Sequence, residues 1–181
     1  MVEAVTVGVA AAGVENYGRR HFQACREDPV ARLLVVHHTP SPSVREMLEQ
    51  VLKGTTAEGL EDVDVVDVPA LQAGPSHVLG ADGIILGTPA NIGYMSGALK
   101  HFFDQVYYPC LGATDGLPYG LYLHGNNDTE GARRAVEWIT KALSWEAVAE
   151  PVAVIDSPDA DDLEACWNLG ATVAAAAAGL A

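Results

Sequence analysis

Basic residues are scarce in this chain: 10 Lys and Arg stand against 24 Asp and Glu, for a formal net charge of −14. No basic stripe exists, so the electrostatic footprint of a nucleic-acid backbone is missing. An anionic membrane surface is disfavoured on the same ground. Cysteine is equally sparse. Cys25, Cys110 and Cys166 are scattered, with no C-x-x-C pair and no metal-ligand spacing. An odd count without a framework reads as reduced thiols in a reducing compartment. Long hydrophobic runs are absent as well: Ala174 to Ala178 falls far short of the ~20 apolar residues that span a bilayer. The first residues include Glu3 and no Lys or Arg ahead of a short apolar stretch, which argues against an export signal. The expectation is a cytoplasmic protein with neither nucleic acid nor membrane as partner.

Two nucleotide-binding signatures are missing too. Gly8 and Gly13 do not form G-x-G-x-x-G, and no Walker pattern or loop lysine follows the first regular strand. Residues 1–31 stand apart. Val5 to Val9 reads as a strand and Glu15 to Cys25 as a helix, with Asp28-Pro29 as a boundary. They are expected to be an extension, and residues 32–181 one α/β domain large enough for a real core.

From Arg32 the pattern is regular. Leu33–Val36, Val63–Val68, Gly83–Leu86, Gly120–Leu123 and Val152–Ile155 read as buried parallel strands. Helical spacing recurs between them, in Val44, Met47, Leu48, Val51 and Leu52, in Leu99, Phe102, Phe103 and Val106, and in Ala132, Val136, Ile139 and Leu143. Pro75 marks a connector with one helical turn. Ser43 and Glu46 read as a capping box, and Ser96 as an N-cap. Ser157-Pro158 reads as the start of the last helix, with Asp159, Asp161 and Asp162 near its positive end. Tyr107 to Pro118, with Pro109, Gly112 and Gly116, reads as a loop. Strand–helix alternation of this kind gives a parallel sheet covered on both faces. Right-handed crossovers leave 2-1-3-4-5 as the natural order for five strands.

In that order strands 1 and 3 are neighbours at the switch point, where ligands bind outside the carboxyl ends of the strands. Three loops should meet there: His37 to Ser43, Thr88 to Met95 and His124 to Gly131. The first presents Thr39, Ser41 and Ser43 ahead of a helix N-terminus, whose free N–H groups and dipole favour an anion. The same residues also serve as ordinary turn and cap residues. The second loop has little side-chain bulk, so its backbone can approach a flat ligand. The third offers Asn126 and Asn127. His37, His38 and His124 do not assemble a metal site, because strands 1 and 4 are not neighbours and adjacent strand residues point to opposite faces.

The stretch from Gly87 to Gln105, GTPANIGYMSGALKHFFDQ, resembles the flavin-contacting segment of the flavodoxin-like NAD(P)H:quinone oxidoreductases and FMN reductases. Those families carry a similar G-T-P, a short loop to Gly, then N/Y-M-S-G and a helix. The resemblance covers residues 32 to about 155 and is best over 83–105. It implies a flavodoxin-like three-layer α/β/α sandwich with a five-stranded parallel sheet, order 2-1-3-4-5. It also implies FMN as cofactor and NAD(P)H as reductant. By this resemblance Thr39, Ser41, Ser43 and Val44 would hold the phosphate. Pro89, Ala90, Asn91, Ile92 and Gly93 would contact the isoalloxazine, and His124, Gly125, Asn126 and Asn127 would form the second ring loop. Pro42 stands where a Gly is usual, and Pro40 and Pro42 remove two backbone donors.

What the resemblance implies in function is an oxidoreductase passing electrons from NAD(P)H to a quinone, a flavin or another small-molecule acceptor with an aromatic ring. No side chain is expected as catalytic acid or base, since the flavin does the redox chemistry, and no metal is expected. A homodimer or homotetramer is implied, with Tyr94, Tyr107 and Tyr108 near a shared wall. A flavodoxin-type electron carrier, and a flavin-free interaction protein on the same fold, stay open.

Overall fold

The computed structural model describes residues 30–180. The strand and helix expected at Val5–Val9 and Glu15–Cys25, and the boundary at Asp28-Pro29, lie outside the described residues. The elements run β1 (Ala31–His37), α1 (Pro42–Gly54), β2 (Val63–Pro69), α2 (Pro75–Leu79), β3 (Gly83–Asn91) and β4 (Tyr94–Met95). They continue with α3 (Gly97–Cys110), β5 (Pro118–Gly125), α4 (Glu130–Ala142), β6 (Glu146–Ala147), β7 (Val152–Ile155) and α5 (Ala160–Ala177).

The sheet has seven strands where five were expected. Two short pieces make the difference. β6 and β7 both pair in parallel with β5, at Pro118–Tyr119 and at Tyr122–Gly125. They are two parts of one edge strand, broken where Pro151 has no N–H to give a ladder. β4 is different in kind, because it pairs antiparallel with β3. With β6 and β7 counted together, the parallel strands lie in the expected order, β2-β1-β3-β5 and then the broken edge.

Alternation along the strands divides the core. Leu33, Val35, Ile85 and Tyr122 face α1 and α5, while Leu34, Val36, Ile84, Leu86, Leu121 and Leu123 face α2, α3 and α4. Burying each such large side chain stabilises by about 1.5–3 kcal/mol. Small residues let α5 come close. A Cβ on Gly120 would stand 2.6 Å from Val173 Cγ2, and one on Gly170 would stand 2.1 Å from the Val51 carbonyl oxygen. The α1–α5 crossing is therefore made backbone to backbone.

Several boundaries differ from expectation. The N-cap of α1 is Ser41, not Ser43, and Pro42 takes the first helical turn. There its fixed φ suits the helix and its missing N–H breaks no helical bond. α3 runs on through Tyr107 to Cys110 with Pro109 inside it, so the expected loop begins at Leu111. The helix ends at its C-cap Leu111, whose backbone turns to φ −60°, ψ 121° while its N–H still donates to the Tyr107 carbonyl. The cap of α5 is Asp159 rather than Ser157, its carboxylate accepting from the N–H groups of Asp161 and Asp162. β3 continues past the apolar run at Gly83–Leu86 as far as Asn91. Among the described residues no helix is long and apolar enough to cross a membrane.

Candidate functional site

A cleft of about 500 Å³ lies at the carboxyl ends of β1, β3 and β5. Small-molecule sites commonly occupy about 300–1,000 Å³. Pro40, Ser41 and Ser43 line it from the first loop, Pro89 to Gly93 from the second, and His124 to Asp128 from the third. Every residue expected at the site is there except Thr39 and Val44. Pro40 and Asp128 are additions. Their only signal in the sequence is position, each being next to a predicted residue in the same loop.

Val44 is fully buried, so its side chain belongs to the core. Its N–H is also taken, donating to Ser41 Oγ at 3.4 Å. Thr39 is engaged elsewhere: its Oγ1 lies 2.7 Å from His37 Nδ1, and His37 Nε2 lies 3.1 Å from Asp67 Oδ1. A carboxylate only accepts, so neutral His37 carries its proton on Nε2 and accepts from the Thr39 hydroxyl at Nδ1. In that tautomer Thr39 has no proton left for an anion. The first loop offers the hydroxyls of Ser41 and Ser43 and the positive end of the α1 dipole. Pro40 and Pro42 contribute no N–H.

The second loop is a hairpin tip rather than an irregular loop. Ala90 pairs with Met95 and Asn91 with Tyr94, leaving Ile92 and Gly93 to turn the chain. Their φ values are 52° and 69°, the double positive φ of a type I′ turn. Gly93 adopts this freely. Ile92 does not, and a β-branched residue held there stores about 1–3 kcal/mol of strain. The Ile92 side chain is nonetheless wholly exposed, at the rim of the cleft. A Cβ on Gly93 would meet nothing within 4 Å. Beneath the tip, Ser96 N–H donates to Thr88 Oγ1 at 3.0 Å and Leu99 N–H donates to Ser96 Oγ at 3.2 Å, which fixes the start of α3.

In the third loop His124 is buried, and its Nε2 donates to the Asp156 carbonyl at 2.6 Å. It is a packed strand-end histidine that also touches the cleft. Asp128 Oδ1 accepts from Glu130 N–H at 2.9 Å at the start of α4. The second and third loops meet directly, since a Cβ on Gly131 would stand 2.0 Å from the Gly93 carbonyl oxygen. Tyr94, Tyr107 and Tyr108 do not line the cleft. Tyr107 and Tyr108 instead pack edge to face on α3, with centroids 5.2 Å apart. Among the described residues, no group of three or more His, Cys, Asp or Glu is placed to hold a metal ion.

No family model matches this chain. A stretch of 87 residues is 34% identical to a flavodoxin from Aquifex aeolicus, covering 48% of this chain and 46% of that protein. A stretch of 94 aligned residues is 30% identical to an NAD(P)H dehydrogenase (quinone) from Acidithiobacillus ferrooxidans, covering 42% of this chain and 47% of that protein. The chain thus matches about half the length of these curated relatives. In shape it superposes on a flavodoxin from the domain Archaea with a TM-score of 0.68 at 18% identity, covering 79% of this chain and 96% of that one. The fold is flavodoxin-like.

Proposed function

We propose that the cleft binds FMN and that the protein is an FMN-dependent oxidoreductase, passing electrons from NAD(P)H to a quinone, a flavin or a small aromatic acceptor. The observation that carries this reading is the convergence of three strand-end loops at the β1–β3 switch point, one of them a hairpin with an open face at Gly93. The residues present fit a flat ring. Pro89 to Gly93 would lie along its polar edge and one face, and the side chains of Asn126 and Asn127 offer both donors and acceptors. Ser41 and Ser43 would hold the phosphate at the amino end of α1, with fewer amide donors than a glycine loop would give. Bound FMN would supply the redox chemistry. The chain's own part is to bind, orient and shield. His124 holds its Nε2 proton against Asp156, and no side chain of the cleft is assigned as acid or base. Residues 1–31 would be an extension to an FMN-binding domain of residues 32–181, working in the cytoplasm as a homodimer or homotetramer.

A flavodoxin-type carrier is the second reading, and the net charge of −14 favours it, because an acidic surface suits a basic redox partner. Visible spectroscopy separates the two. The enzyme reading expects a shifted flavin spectrum on adding FMN at micromolar concentration, and bleaching on adding NADPH or NADH. Bound flavin that NAD(P)H leaves oxidised would select the carrier. No flavin binding at all would sink both.

A further inference from the structure

A second cavity, of about 290 Å³, opens on the other side of the loop after β1. Its walls are chiefly apolar, with Leu48, Leu71 and Ala98 among them; the polar groups are Arg45, His38, Gln72 and the His37–Thr39 pair, which is already engaged with itself and with Asp67. Arg45 is exposed on α1, and its side chain makes no ion pair or hydrogen bond among the described residues. Arg32, Lys100, Arg133 and Arg134 each have a carboxylate partner, while Lys53 and Lys141, like Arg45, have none among the described residues. His38 Nδ1 is closed off from solvent with no hydrogen-bond partner. Orphaned buried N–H groups are rarer than orphaned acceptors, which places the imidazole proton on Nε2, the nitrogen left for a ligand. Burial and the neighbouring His37 hold the His38 pKa below its ordinary value, so the ring is neutral near pH 7. Ala98 is the second residue of α3 and brings that helix's amino end to the cavity wall, where the dipole favours negative charge. None of these residues lines the larger cleft.

We infer that this cavity is a binding site for a small organic carboxylate with an aromatic or branched aliphatic body. The carboxylate pairs with the Arg45 guanidinium, whose fork matches its two oxygens, and accepts from His38 Nε2. The body of the ligand lies against Leu48, Leu71 and Ala98, and those apolar walls discriminate against a bare inorganic anion. The site stands whether or not the larger cleft takes FMN.

The probe is benzoate, with benzamide as its neutral counterpart, titrated into the full chain and followed by amide chemical shifts in two-dimensional NMR. Saturable benzoate shifts are expected at Arg45, Leu71, Gln72 and Ala98, with benzamide at least about tenfold weaker, a difference of ~1.4 kcal/mol. Arg45→Gln should bring benzoate down to the level of benzamide. Both residues are good helix formers on an exposed face, and unchanged shifts elsewhere verify the variant's fold. Saturating FMN should leave benzoate affinity within about twofold, and a failure of FMN to bind would leave the benzoate result as it stands. Equal affinity for the two probes, no saturable shift, benzoate shifts confined to Ser41, Asn91 and Asn126, or unchanged benzoate affinity in Arg45→Gln would each overturn the assignment.

Discussion

The ring of Tyr122 lies over Gly87, its register partner on the neighbouring strand, so closely that a Cβ there would stand 2.0 Å from Tyr122 Cζ. The largest side chain on that face of β5 thus occupies the space left by the smallest residue of β3. The fit holds the two strands together directly below the cleft. It also places a hydroxyl in the core, fully buried and with no well-aligned hydrogen-bond partner, Thr39 being the polar side chain close enough to interact with it.

Tyr122→Phe removes that hydroxyl and keeps the ring. Leaving a buried polar group unsatisfied costs about 1–3 kcal/mol, so this variant should be more stable by about 1 kcal/mol. Gly87→Ala should do the opposite, by about 1–3 kcal/mol of overpacking. Urea unfolding midpoints measure both. A less stable Tyr122→Phe would mean that the hydroxyl has a partner after all.

The hairpin tip carries strain at Ile92 and rests on α4 through Gly93 and Gly131. Ile92→Asn should stabilise by about 1 kcal/mol, since Asn tolerates positive φ. If Ile92 covers the bound ring, the same variant should weaken FMN binding several-fold. Gly131→Ala forces the tip away from α4 and should weaken FMN more than it shifts the unfolding midpoint. Fluorescence titration of FMN alongside thermal unfolding reads both effects. Unchanged FMN affinity in the two variants would take the ring away from the hairpin.

The thin phosphate cradle makes a further prediction. With Thr39 committed to His37 and two prolines in the loop, FMN should be preferred over riboflavin by no more than about tenfold, or ~1.4 kcal/mol. Thr39→Val should change FMN affinity by less than about twofold, while Ser43→Ala should lower it several-fold, in line with about 1.5–3 kcal/mol for a hydrogen bond to a charged group. A large loss in Thr39→Val would show that the hydroxyl turns to the ligand.

Stability should fall toward both ends of the pH scale. Burial pushes the Cys110 thiol up to about 11. Burial, with Asp162 nearby, pushes Cys166 up to about 12. The unfolded chain releases these protons near pH ~8.5, so above that value it binds fewer protons than the folded one. Stability present below pH ~8.5 is lost as pH rises toward about 11. His38 works in the other direction. Its lowered folded value means that the unfolded state gains a proton first, so its contribution is present above pH ~6.5 and lost as pH falls. Urea midpoints across this range test the shape, and Cys110→Ala with Cys166→Ala should flatten the alkaline limb. A limb as steep as before would assign it to other groups.

The parallel strands and their order were readable because each apolar run is short, bounded and separated by helical spacing. What escaped was decided by single positions. Ser41 and Ser43 are equally good capping hydroxyls on paper, and Pro42 between them selects Ser41 because a proline fits the first helical turn. Pro109 looks like a helix end, yet α3 runs through it to Cys110, giving up only the one helical hydrogen bond that the Gln105 carbonyl would have accepted. The return of β3 as a hairpin depends on an isoleucine at positive φ, which no propensity favours. Thr39 and Val44 were placed by the family resemblance, which cannot show that an imidazole from β1 partners Thr39 and that the core takes the Val44 side chain.

The contact of Gly93 with Gly131 has a consequence for how such a cleft diversifies. Two of its three walls are joined main chain to main chain, leaving no side chain between them to vary. A substitution in either wall disturbs both, so ligand preference can drift there only by coordinated change. The first loop has no such tie to the other two and ends in a helix cap that Ser, Thr, Asp or Asn can each supply. Variation in what the protein accepts should therefore accumulate between His37 and Ser43.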